Sequence, residues 1–159
     1  MNKKIIIILF LLVTALIFVF NYPFTISHSV DALEINLGDN DYFVKREILL
    51  NGTYHFNLFN KDVFSGEVMV SGYESDYNEY AMVDCEVSAK NGSPLIWEQK
   101  RDEKTNTKVF GTIFANRFFT DITVLIGPSH DFSEGIIVVT NVETVKDAKE
   151  KAEKIFIGK

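Results

Sequence analysis

Beyond residue 30 the apolar residues of this chain recur at every second position. Leu33, Ile35 and Leu37 share one face of a segment whose other face carries Glu34 and Asn36. Tyr54, Phe56 and Leu58 alternate with Thr53, His55 and Asn57, and Ala81, Val83, Cys85 and Val87 alternate with Met82, Asp84, Glu86 and Ser88. A period of two puts successive side chains on opposite faces of a pleated strand. The fold expected is therefore mainly β.

The strand signals follow one another with turn residues between them. Residues 32–37 lead into Gly38-Asp39-Asn40-Asp41, read as a turn. Tyr42 to Leu50 is a second strand. Asn51-Gly52 is a strong hairpin signal, because both central positions of the tight turn need positive φ. Thr53 to Phe59 returns, Asn60-Lys61-Asp62 turns, and Val63 to Ser71 completes a three-stranded meander over 42–71. Tyr80 to Ala89 pairs through Asn91-Gly92 with a return strand at Leu95, Ile96 and Trp97. Glu98 to Lys108 reads as a charged loop. Lys108 to Ala115 and Phe118 to Ile126 form another pair around Asn116-Arg117. Gly135 to Val142 is apolar almost throughout, which suits a strand covered on both faces.

Only the last segment changes period. Val145, Ala148, Ala152 and Ile155 are three or four apart, which predicts a helix over 144–156. Thr144 is a favourable N-cap, and Asp147 three residues on forms a capping box with a shortened acid. Asp147–Lys151 and Glu150–Lys154 are spaced for i,i+4 ion pairs. With two alanines on a narrow stripe, this helix should lie close against a sheet. The fold class expected is an antiparallel β-sandwich or small barrel of about eight to nine strands with one C-terminal helix.

The start of the chain sets the compartment. Lys3 and Lys4 precede an apolar run from Ile5 to Phe20, and no charge appears until Asp31. Sixteen apolar residues are slightly long for the core of a signal peptide and slightly short for a spanning helix. Counting through Ile26 gives 22 uncharged residues, with Tyr22 placed as an interfacial aromatic. Residues 1–26 are read as a signal anchor or a cleaved signal peptide, and 27–159 as one extracytoplasmic domain. Lysines before the run and none after it until Lys45 place the C-terminus outside. The expected location is the cell membrane, single-pass, or the exterior if the signal is removed.

No cysteine follows the run, so lipoprotein acylation is excluded. Cys85 is the lone cysteine, so the domain has no intrachain disulfide and holds together by its core. On an apolar strand face with no base nearby before Lys90, it reads as a small buried hydrophobe rather than a nucleophile. The exported part carries 22 acids against 14 bases, a formal charge of −8. Such a domain repels nucleic acid and anionic headgroups, so nucleic-acid binding is excluded; an acidic surface can attract cations or a basic partner, but more often it just keeps a domain soluble.

Chemistry-bearing residues are sparse. Ser129, His130 and Asp131 lie side by side in the connection 127–135. A catalytic triad needs its groups to converge in space, and sequence neighbours point apart. A hydrolase would have to recruit a distant serine and acid to His130. His28, His55 and His130 are widely separated and fit no zinc spacing. Asp39-Asn40-Asp41 offers oxygens but lacks the rest of a calcium loop. Asn51-Gly52-Thr53 and Asn91-Gly92-Ser93 match glycosylation acceptors, yet both read as turns. The chain holds no phosphate loop, dinucleotide fingerprint or paired-cysteine motif, so no cofactor and no metal are expected. The segment best suited to recognition is 72–80, where Tyr73, Glu74, Asp76, Tyr77, Glu79 and Tyr80 combine contact area with charge.

Lys3-Lys4 with the apolar run, and the stretch carrying Asn51-Gly52-Thr53-Tyr54 and Phe64-Ser65-Gly66, give a layout that resembles small membrane-anchored extracytoplasmic proteins of Gram-positive bacteria. The resemblance is one of design and carries no catalytic residue. The disulfide-free export and the preference for lysine over arginine, 13 to 3, agree with it. The function expected is a membrane-tethered or exported binding module of the cell envelope, contacting an envelope protein, a peptide or a surface polymer. The alternatives are the His130 hydrolase and a structural assembly subunit.

Overall fold

The computed structural model describes residues 3–20, 22–57, 60–73, 80–88, 90–101, 104–127 and 135–156. It opens with helix α1 (Lys3–Phe20). Eight strands follow: β1 (Phe24–Asn36), β2 (Asp39–His55), β3 (Val63–Val70), β4 (Tyr80–Glu86), β5 (Ser93–Arg101), β6 (Lys104–Ala115), β7 (Ile122–Ile126) and β8 (Ile136–Thr140). Helix α2 (Val145–Phe156) ends the described chain. Each strand pairs antiparallel with the next, and β8 pairs back onto β1 from Ala32↔Thr140 to Asn36↔Ile136. The architecture is thus a closed up-and-down barrel and not a sandwich. Closure removes the open edges that a sheet of this composition would otherwise expose.

Alternation fills the inside. Ile26, Ile48, Leu50, Tyr54, Phe64, Val68, Val70, Val124 and Val138 form the buried interior. On the outer surface Leu33, Ile35, Leu125, Ile137 and Val139 form a second apolar layer, which α2 covers through Ala148 and Ala152. Strands β7 and β8 are therefore covered on both faces, as the unbroken run in β8 indicates. The two alanines let the helix backbone approach the barrel closely.

The start of α2 is capped as its sequence indicates. The Asp147 amide donates to Thr144 Oγ1 at 3.1 Å, and the Thr144 hydroxyl donates to Asp147 Oδ2 at 2.7 Å. Thr144→Ala is expected to lower stability by about 1 kcal/mol, read as a shift in the denaturant midpoint at unchanged slope. Lys151 does not pair with Asp147. It reaches Asp121 on the barrel and donates to the Thr140 carbonyl at 2.7 Å. On the helix surface Lys146 faces Glu150 at 3.9 Å.

Three local expectations fail. Asn51-Gly52 is not a turn: β2 runs unbroken from Asp39 to His55, and the meander over 42–71 is two strands. Gly52 sits opposite Gly66, where a Cβ would lie 2.4 Å from the Ser65 carbonyl oxygen and 2.8 Å from the Phe64 ring. This glycine answers to close approach, not to positive φ. Glu98 to Lys108 is not a loop, since β5 and β6 pair out to Arg101↔Lys104. Phe118 is not in a strand. It lies in a short 3-10 turn, Arg117–Phe119, with φ of 65°. By contrast Gly92, between β4 and β5, has φ of 60°, as a tight turn requires.

The uncharged stretch of 22 residues is likewise not one element. β1 begins at Phe24, and Ile26 belongs to the barrel interior. α1 is 18 residues long, or about 27 Å, and its apolar side chains are exposed all round. Among the described residues no helix is long and apolar enough to cross a membrane.

Candidate functional site

The up-and-down order gives the barrel two unlike ends. α1 leads into β1 at one end, called proximal here. The connections 56–62, 87–92 and 116–121 lie at that end, and 37–38, 71–79, 102–103 and 127–135 lie at the distal end. Both polar segments singled out from the sequence, 72–80 and 127–135, thus leave the same end, opposite α1.

Beneath that distal end lies a buried charged cluster. Glu34 points into the barrel and is 1% exposed. It pairs with Val44 across β1 and β2, so its diagonal neighbours on the same face are Tyr42 and Arg46. Tyr42 donates to Glu34 Oε1 at 2.5 Å, and Arg46 donates through Nε to Oε2 at 2.7 Å and through Nη2 to Oε1 at 3.3 Å. The fourth donor is Tyr73, whose hydroxyl reaches Oε2 at 3.0 Å. The Arg46 guanidinium lies 5.1 Å from the centre of the Tyr73 ring, which meets Phe110 edge-on. Gly72, with φ of 84°, permits this crossing, because a Cβ there would collide with Arg46.

The electrostatics follow from these contacts. Burial pushes the Glu34 carboxyl up, but hydrogen bonds from Arg46, Tyr42 and Tyr73 outweigh it and hold the group below its ordinary range. Burial and the Glu34 charge push the Tyr73 phenol well up, and the hydrogen bond to Glu34 does the same for Tyr42. At neutral pH the cluster is one carboxylate held by an arginine and two neutral phenols. A carboxylate already accepting four hydrogen bonds is poorly placed for proton transfer. Its hydrogen bonds tie β1, β2 and Tyr73 together inside the barrel.

The proximal end is closed instead by aromatic rings. Tyr54 is fully buried and donates to Asp62 Oδ2 at 2.6 Å. Asp62 also accepts the Asn57 amide at 2.9 Å and faces Arg117 Nε at 3.1 Å. The Phe118 amide donates to the Tyr54 hydroxyl at 3.2 Å. Burial, then the bond to Asp62, pushes the Tyr54 phenol far up. Around this core Phe24, Phe56 and Phe118 stack, while Phe119 meets Phe64 edge-on.

The sequence candidates fall as follows. Tyr73 faces inward onto Glu34. Tyr80 opens β4 opposite Trp97. Glu74, Asp76, Tyr77, Glu79, Ser129, His130 and Asp131 lie outside the described residues. Cys85 is opposite Phe64 in the β3–β4 pair. His28 and His55 are exposed and far apart in the barrel wall, and among the described residues no group of three or more potential ligands could hold a metal. At Asp39-Asn40-Asp41 the Asp41 amide bonds Asp39, and the Lys149 ammonium donates to Asn40 Oδ1 at 2.6 Å, so a lysine occupies the place considered for calcium.

Sequence reasoning missed Glu34, Tyr42 and Arg46. Alternation puts Glu34 on the face opposite Leu33 and Ile35, but does not reveal that this face is the barrel interior and that β1 has no solvent face at that point. A carboxylate flanked by Leu33 and Ile35, with an arginine in the following strand, was the available signal. Outside the barrel, Thr123 Oγ1 is buried without a partner beside a cleft of about 210 Å³ under α2. That space has room for bridging water.

Searches of protein-family models, curated proteins and solved structures return no match to this chain.

Proposed function

We propose that this protein is an extracytoplasmic binding module of the cell envelope, held at the membrane by α1 and presenting the distal end of its barrel to a basic protein, peptide or surface polymer. The observation that carries this reading is the opposition of the two ends. The apolar helix joins one end, and the strand ends that flank both polar segments lie at the other, where Glu34 and Arg46 are paired. The distal connections 71–79 and 127–135 contain five acids and no lysine or arginine, three in the first and two in the second, while at the β5–β6 tip Asp102 and Glu103 stand between Arg101 and Lys104. Such a concentration of one sign favours and steers a cationic partner. α1 is exposed and apolar on every side, a pattern that suits lipid rather than water. Its shortness is accommodated by local thinning and by lysine snorkelling at Lys3 and Lys4.

Neutralising the distal end tests the reading. In Glu74→Gln/Asp76→Asn/Glu79→Gln, retention of envelope components by the full-length chain is expected to fall at least tenfold at low salt, with thermal stability unchanged. Equal retention by wild type and variant, or retention insensitive to salt, counts against an electrostatic distal site.

A further inference from the structure

We infer that the proximal end of the barrel rests directly on an anionic lipid surface, with the aromatic plug as its contact. This rests on the reading of α1 as the membrane tether. Phe20 ends α1 and Phe24 begins β1, so residues 21–23 separate them. An extended chain of that length spans only about 10–14 Å, which keeps the barrel end close to the place where α1 stops. The residues at that end have interfacial chemistry. Tyr22 is 72% exposed, Phe118 45% and Phe24 40%, whereas Tyr54, Phe64 and Phe119 behind them are buried. Aromatic side chains concentrate at the level of lipid headgroups. Phe118 is held outward at a φ of 65°, a left-handed conformation unusual for a bulky side chain, and is fixed there by its amide bond to Tyr54.

Charge separates along the barrel in the matching sense. The proximal connections carry Lys61, Lys90 and Arg117, all exposed. Of the acids at that end, Asp62 and Asp121 are engaged internally and Glu143, between β8 and α2, is exposed. Asp62 is buried against Tyr54 and Arg117, and Asp121 is bound by Lys151. The −8 of the domain is thus repelled from the membrane at the distal end and offset at the proximal one, although the total alone argued against anionic lipid. Bases beside exposed aromatics are the pattern of a surface that sits at an anionic interface. The three connections are also tied into one unit. The Val87 amide donates to the Asp62 carbonyl at 2.9 Å, the Ala115 amide to that of Ser88 at 3.3 Å, and Arg117 Nη2 to that of Asn57 at 3.4 Å. The described residues of the three connections meet a membrane together.

The test uses full-length protein in vesicles of brominated phosphatidylglycerol or brominated phosphatidylcholine. Trp97→Phe removes the native fluorophore, and single tryptophans are placed by Phe118→Trp, by Asn60→Trp and, within α1, by Leu12→Trp. Asn60 is exposed and carries the test if position 118 does not tolerate the change. Quenching is expected at 12 in both lipids, and at 118 and 60 in phosphatidylglycerol. Adding Lys61→Gln and Lys90→Gln should lower the docked fraction on the order of tenfold. Quenching at 12 with none at 118 or 60 overturns the docking and leaves the tether intact. Equal quenching at 118 in both lipids overturns the anionic preference. No quenching at 12 overturns the tether, and the docking with it.

Discussion

Replacing Glu34 by alanine is expected to destabilise the barrel by about 3–5 kcal/mol, the range for breaking a buried ion pair from one side. The substitution strands an arginine and two phenols around a cavity with no acceptor between them. Each lost bond to a charged group is worth roughly 1.5–3 kcal/mol, and they overlap because they share one carboxylate. Arg46 keeps partial access to water, which places the expected loss toward the lower end of the range. Against a total stability of about 5–15 kcal/mol, this is a large fraction. Chemical denaturation of the full chain in detergent reads it directly, and a loss under 1 kcal/mol would contradict the structure. Glu34→Met/Arg46→Met, which removes both charges, should recover much of the loss. The pH dependence has a definite sign. The carboxyl titrates lower in the folded chain than in the unfolded one. Its stabilisation is therefore complete above the unfolded value, roughly 4.3, and disappears as pH falls through the depressed folded value. The Met/Met variant should lack that part of the acid transition.

Gly52→Ala is the second large effect, expected at about 3 kcal/mol, with Gly52→Val abolishing the folded state. An added Cβ meets the Ser65 carbonyl oxygen and Gly66 Cα at 2.4 and 2.7 Å, and both are backbone atoms that no rotamer change can move. Gly66 is as tight, with the Asn51 carbonyl oxygen at 2.4 Å, and the Phe64 ring lies over both glycines. The strands would have to separate where the ring packs, and Phe64 is fully buried. A turn at Asn51-Gly52 makes a different forecast. Alanine there would cost about 1 kcal/mol through its unfavourable φ, and valine roughly 1–2 kcal/mol, without loss of the folded state, because the added side chain would project into solvent. Thermal melts of the two variants therefore separate the two accounts. Because the glycines share one contact, Gly52→Ala and Gly66→Ala should combine with less than additive loss.

The Asn-Gly pair also shows where sequence reading loses its hold. At 91–92 and at 51–52 the same dipeptide stands between alternating strands. The first is a turn with φ of 60° at Gly92, and the second is the middle of a strand of 17 residues. Nothing local separates them. A ring lies close to both glycines, Phe64 at Gly52 and Phe114 at Gly92; the difference is that Gly52 is paired with Gly66 of β3, whose backbone leaves no room for a Cβ. Glu98 to Lys108 misled in the opposite direction. Its charges suit a loop, but cross-strand pairing from Ser93↔Ile113 to Arg101↔Lys104 carries it as a hairpin. At 118 an aromatic fitting the strand pattern was drawn out of it by the Tyr54 hydroxyl.

The sequence by itself determined the mainly β class, the capped C-terminal helix, the closeness of that helix to the sheet, the covering of β8 on both faces and the turn at Asn91-Gly92. These are properties of near neighbours, fixed by the periods of two and 3.6 and by local φ and capping preferences. Only the tertiary structure decided that the sheet closes, that Glu34 faces inward beside Tyr42, Arg46 and Tyr73, and that segments 72–80 and 127–135 leave the end opposite α1. Closure depends on pairing between Ala32–Asn36 and Ile136–Thr140, about a hundred residues apart in the chain. Such pairing is set by strand stagger and barrel curvature, which are sums over the whole sheet and are written in no single segment.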